Sequence, residues 1–216
     1  MRESLFVLPC VHLAVPVLQR VLIRARVHHS PRRLPAVSYG YDIATIAIGA
    51  AVVTAVALTG NTPSSRGGCA TMLNVVIALL LGAAFPVIVA FCSGKRTRLT
   101  RADIRPGRLV LLAASAAGEE TIWRLGILTA FAATNTGLAI AIFLSVLGFI
   151  VLHALAFGWN VLPYIAIFTV VITPVFFALS WLGAIAFHIA HNVVVASTTN
   201  SSPPQRSASP ASQVVW

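Results

Sequence analysis

Acidic residues are nearly missing from this sequence. Five aspartates and glutamates stand against 15 lysines and arginines in 216 residues, and charged residues of both signs make up 9% of the chain. A soluble domain carries about 25%. With 58% hydrophobic residues and a mean hydropathy of +0.90, so little charge excludes a water-soluble globule. Cysteine is scarce as well. Cys10, Cys69 and Cys92 form neither a C-x-x-C metal pair nor a disulfide framework, and they read as small packing residues in or beside apolar runs. A pair of aspartates within the membrane is also lacking, since Asp42 opens a span and Asp103 lies in a basic loop, which excludes an aspartyl enzyme. No G-x-S nucleophile motif occurs, so Ser115 and Ser145 are ordinary helix serines. No H-E-x-x-H pair occurs, so the zincin arrangement is excluded. The lack of an internal repeat counts against a carrier built from inverted halves.

Long apolar runs are what the chain does have. A bilayer core about 30 Å thick takes roughly 20 apolar residues per helix. Runs of that kind extend over Tyr41 to Leu58, Ala70 to Cys92, Leu109 to Phe131, Gly137 to Phe157, Val161 to Leu179 and Trp181 to Ala196. The fold class expected is therefore all-α, a polytopic transmembrane bundle of about six spanning helices. The segment from Leu5 to Leu18 is shorter and interrupted by Pro9 and Pro16, and it reads as an interfacial or re-entrant piece. It lacks the small-x-small cleavage site of a signal peptide.

The net charge of +10 is unevenly placed. Arg20, Arg24, Arg26, Arg32 and Arg33 precede the first clear span, and Lys95, Arg96, Arg98, Arg101, Arg105 and Arg108 separate the second from the third. The alternate loops carry Arg66 or no charge. Under the positive-inside rule both basic loops, and with six spans the carboxy-terminal tail, face the cytoplasm. Anionic lipid, and not nucleic acid, is the partner expected for these loops. The alanine- and arginine-rich composition hints at a GC-rich genome, and a bacterial plasma membrane is the location expected. Four regions follow: 1–40, an apolar segment and basic loop; 41–108, two spans and a basic loop; 109–196, a chemically loaded core; and 197–216, a Ser/Pro-rich tail expected to be disordered.

The core is loaded because ionisable residues enter its apolar runs. Glu119 and Glu120 stand side by side inside one of them, where each charge costs roughly 2.5 to 3.5 kcal/mol on insertion scales. Successive helical residues turn by about 100°, so the two carboxylates face different ways. Glu120 and Arg124 form an i, i+4 pair that neutralises one carboxylate. Glu119 is left without a local cation and is the candidate general base. His153 lies one turn after Phe149 in the next run. His188 and Asn192 share a face of the last run, with His191 on the flank of His188. A histidine beside an amide supplies donors for an oxyanion or a metal ligand with an orienting neighbour.

The order E-E-x-x-x-R (Glu119 to Arg124), F-x-x-x-H (Phe149 to His153) and H-x-x-x-N (His188 to Asn192) resembles the three motifs of the CPBP family. These are intramembrane endopeptidases that include type II CAAX prenyl proteases and bacterial Abi proteins. Leu125 stands where family members usually have glycine, one residue before Gly126. The resemblance implies hydrolysis of a membrane peptide or protein, with Glu119, Glu120, Arg124, His153, His188 and Asn192 as the catalytic set. Glu119 aided by His153 would activate water, His188 and Asn192 would stabilise the oxyanion, and Glu120 with Arg124 would brace the helix. Because the family has also been described as metalloproteases, a second version has His153 and His188 hold a divalent metal such as zinc. The rival readings are a proton- or cation-coupled carrier using the same buried groups and a catalytically silent membrane scaffold.

Overall fold

The structure is a computed structural model that describes residues 2–27, 34–59, 72–94, 97–99, 106–131 and 134–200. Its helices are α1 (Arg2–Val27), α2 (Leu34–Leu58), α3 (Met72–Cys92), α4 (Pro106–Glu120), α5 (Ile127–Phe131), α6 (Asn135–Phe157) and α7 (Leu162–Ala196). Between α4 and α5 the helix continues as a π-helical segment, Thr121–Gly126, so 106–131 forms one rod with a widened turn in its middle. The bundle is all-α apart from a two-stranded antiparallel ribbon in which β1 (Thr97–Leu99) pairs with β2 (Thr198–Asn200).

By length and composition five helices can cross a membrane: Leu5–Ile23, Tyr39–Leu58, Met72–Cys92, Asn135–Phe157 and Trp159–Ala196. The chain is thus an integral membrane protein. The rod 106–131, divided by its π-helical turn and carrying the two glutamates and Arg124, is outside that set. The two runs expected at Val161 to Leu179 and Trp181 to Ala196 are the two arms of α7. Between them Ser180 leaves the helical region, with φ 76° and ψ 172°, and the chain folds back. Tyr164 consequently meets His191, and Phe168 meets Phe187. α3 packs along this hairpin, and Phe85 touches Tyr164, Phe168, Phe187 and His191 with ring centroids 5.7 to 6.0 Å apart.

The amino-terminal segment differs from the sequence reading, because α1 runs through both prolines and is long enough to span. Pro9 and Pro16 lie seven residues apart, so they share one face, and that face is the buried one, with Leu5 and His12. A proline removes one donor and crowds the carbonyl four residues earlier, which a membrane helix tolerates where neighbours pack against the break. Cys10 and Cys92 also differ from expectation. Both are free and exposed on the outer faces of their helices, while Cys69 lies outside the described residues. So do Arg32, Arg33, Arg66, Lys95, Arg96, Arg101, Arg105 and the tail from Ser201 onward.

What places the chemistry is the approach of α2 to α4. A Cβ on Gly118 would stand 2.8 Å from the Thr45 carbonyl oxygen, and one on Gly49 would stand 2.8 Å from the Gly118 Cα. Glycine at both points lets the two backbones nearly touch. The residue after Gly118 is Glu119, which is therefore delivered against the first turns of α2.

Candidate active site

Glu119 and Glu120 close α4 at the point where the π segment begins. Such widened turns recur at functional sites because they re-aim the side chains around them. The two carboxylates point to different neighbours. Glu119 Oε1 accepts a hydrogen bond from the Tyr41 hydroxyl of α2 at 2.8 Å. Its Oε2 faces the Nε2 atoms of His153, at 3.7 Å, and of His188, at 3.8 Å. Glu120 Oε1 accepts from His188 Nδ1 at 2.8 Å, and its Oε2 meets Arg124 at 2.7 Å. The His188 ring therefore stands between the two carboxylates, one nitrogen toward each.

Burial makes these contacts strong. Arg124 is 1% exposed and Glu120 0%, so the pair sits where Coulomb attraction is little screened. The guanidinium also lies 4.9 Å over the Phe149 ring, a cation–π contact that offsets part of its desolvation. Its Nε and Nη2 make no hydrogen bond among the described residues. Phe149 stacks in turn on His153, at 4.3 Å, so the aromatic residue of F-x-x-x-H is the shared floor of the arginine and the histidine.

The backbone fixes the proton of His153. Its Nδ1 lies 2.9 Å from the Phe149 carbonyl oxygen, which can only accept, so Nδ1 carries the hydrogen and Nε2 presents a lone pair. Glu120 acts in the same way on His188 Nδ1. In the neutral rings, two imidazole lone pairs and the Glu119 Oε2 converge on one spot. Three acceptors so arranged call for a shared donor, and separations beyond 3.5 Å are those that one water molecule bridges.

The same atoms fit a metal less well. Ligand atoms about 2.1 Å from a tetrahedral metal stand about 3.4 Å from one another, closer than the 3.7 and 3.8 Å seen here. No group of three or more His, Cys, Asp or Glu among the described residues is arranged to hold a metal ion.

Asn192 and His191 form a neighbouring network. The Tyr164 hydroxyl donates to His191 Nε2 at 2.6 Å, and His191 Nδ1 donates to Asn192 Oδ1 at 3.0 Å. His188 is thus the histidine between the glutamates, and His191 is the one that orients the Asn192 amide. Sequence reasoning missed three participants: Tyr41, His12 and Trp123. Trp123 Nε1 donates to His12 Nδ1 at 3.1 Å, and His12 Nε2 reaches Thr45 Oγ1 at 2.8 Å. The one available signal was His12 itself, a polar residue inside an apolar run and in phase with Leu5, Pro9 and Pro16.

One comparison with known proteins covers the segment that carries this cluster. Residues 104–194, from just before α4 to near the end of α7, match the family model described as type II CAAX prenyl endopeptidase Rce1-like. No curated protein and no solved structure matches the chain.

Proposed function

We propose that the chain is a CAAX-type intramembrane protease, as the match of residues 104–194 to the type II CAAX prenyl endopeptidase Rce1-like model supports, and that Glu119 activates water to cleave membrane-associated peptides. The observation that carries the reading is the convergence of Glu119 Oε2 with the Nε2 atoms of His153 and His188.

The attacking water sits among those three atoms. As its oxygen forms a bond to the scissile carbonyl carbon, its proton passes to Glu119 Oε2. Collapse of the tetrahedral intermediate breaks the carbon–nitrogen bond, and the same proton leaves with the amine. Two carboxylates and one guanidinium leave the cluster at one net negative charge. One proton shared by Glu119, His153 and His188 brings it to zero, the state a low-dielectric interior favours. When that proton resides on His188 Nε2, the ring donates to the oxyanion while Glu120 supports the imidazolium from its other side. The Asn192 amide nitrogen is the second donor, since its oxygen is engaged by His191. Glu120 and Arg124 hold His188 in place.

The substrate is a membrane peptide or protein, and a prenylated C-a-a-X terminus is the form the family description suggests. The basic loops rest on anionic lipid at the cytoplasmic face. The β1–β2 ribbon supports a common side for the second basic loop and the end of α7, because it joins them at one end of the bundle. With α1 as a further span, the residues before Leu5 lie on the opposite face.

The test is Glu119→Gln and His188→Ala in native membranes and as purified protein. The probes are a fluorogenic peptide with a prenylated cysteine fourth from its carboxyl end, its unprenylated counterpart, and the membrane peptidome. Cleavage should fall by about 10³-fold or more in both variants, a loss of roughly 4 kcal/mol of transition-state stabilisation. Undiminished products in both would refute the mechanism.

A further inference from the structure

We propose that Tyr41 is a positioning residue for Glu119, backed by a one-way hydrogen-bonded relay from Trp123 through His12 to Thr45 whose His12 ring stacks on Tyr41. The inference deepens the mechanism above and rests on Glu119 being the base. Tyr41, Thr45 and His12 belong to α1 and α2, before the matched family segment at residues 104–194.

Each hydrogen in the relay has one possible direction. An indole N–H only donates, so His12 Nδ1 accepts from Trp123 at 3.1 Å. A neutral imidazole that accepts at Nδ1 carries its proton on Nε2, and that proton goes to Thr45 Oγ1 at 2.8 Å. Thr45 has then filled an acceptor position, and it lies one helical turn after Tyr41 on the same helix. Tyr41 in turn spends its hydrogen on Glu119 Oε1 at 2.8 Å. His12 and Thr45 are fully buried and Trp123 nearly so, and the His12 ring stacks on Tyr41 with centroids 5.7 Å apart. Tyr41 itself is half-buried.

The consequence falls on the base. With Oε1 turned to the Tyr41 hydroxyl, a proton drawn from the attacking water goes to Oε2, the oxygen that faces His153 and His188. The relay thereby decides which oxygen of Glu119 works, and it holds the carboxylate plane while it works.

The full chain in detergent, assayed with the prenylated and unprenylated fluorogenic peptides, tests this. Tyr41→Phe removes one hydroxyl and should lower kcat by about 10- to 100-fold, the range for losing a hydrogen bond to a charged group, with KM unchanged. A relay role also predicts a smaller kcat loss for Thr45→Val, again at constant KM. An unchanged kcat in Tyr41→Phe, or a loss confined to KM, overturns the inference when Glu119→Gln is inactive. Full activity in Glu119→Gln overturns the mechanism itself, and the inference with it. If Tyr41→Phe lowers the melting temperature, Thr45→Val decides: a kcat loss without a change in melting supports the relay, and wild-type kcat overturns it.

Discussion

Replacing Glu120 by glutamine separates two jobs that one carboxylate performs. Glu120 accepts from His188 Nδ1 at 2.8 Å and faces Arg124 at 2.7 Å, and the arginine and glutamate are 1% and 0% exposed. The variant leaves a buried guanidinium without its direct ion-pair partner. Breaking one side of a buried pair costs about 3 to 5 kcal/mol, whereas removing both sides is close to neutral. For a chain of this size that corresponds to a fall of about 6 to 20 °C in melting temperature. Glu120→Gln should therefore melt well below wild type in a fluorescence-monitored thermal scan of detergent-solubilised protein. The double variant Glu120→Gln/Arg124→Met should regain most of that loss. Peptide cleavage should stay low in the double variant, because His188 has still lost the carboxylate that fixes its Nδ1 proton. A single variant that melts like wild type would refute the closed ion pair. A double variant that regains activity along with stability would refute the role assigned to Glu120 in holding His188.

Gly118→Ala places a methyl 2.8 Å from the Thr45 carbonyl oxygen, where backbone has to yield. A loss of about 1 to 3 kcal/mol is expected, together with a fall in kcat because α2 carries Tyr41 away from Glu119. Chemical denaturation alongside the peptide assay checks both. Treatment of purified protein with a divalent-metal chelator should leave cleavage unchanged, since no mechanistic step passes through a metal; loss of activity restored by added zinc would contradict this.

The parts of this structure legible in the sequence are those that repeat along one helix. Hydropathy reveals the runs from Tyr41 to Leu58 and from Gly137 to Phe157, and the four-residue spacing of Glu120 and Arg124 reveals their pairing. The break at Ser180 was visible as the boundary between two apolar runs. The continuity of α1 was not, because a proline weakens a helix only as far as its neighbours fail to support it, and the buried face that supports Pro9 and Pro16 belongs to other helices. Tyr41 escaped notice for a related reason. Its link to Glu119 crosses 78 residues of chain and depends on Gly49 and Gly118 allowing two backbones to meet, which no local pattern records. The placement of His188 between both carboxylates is equally non-local, since it depends on the return of the second arm of α7.

That returning arm also sets a schedule. Glu119, Arg124 and His153 are all synthesised before Ser180, and His188 and Asn192 after it. A nascent chain halted at the turn would hold two carboxylates and one guanidinium without the imidazole that stands between the carboxylates, and so without a working cleft. The cluster is thus complete only once the final helix has docked against α3, where Phe85 meets Phe187 and His191.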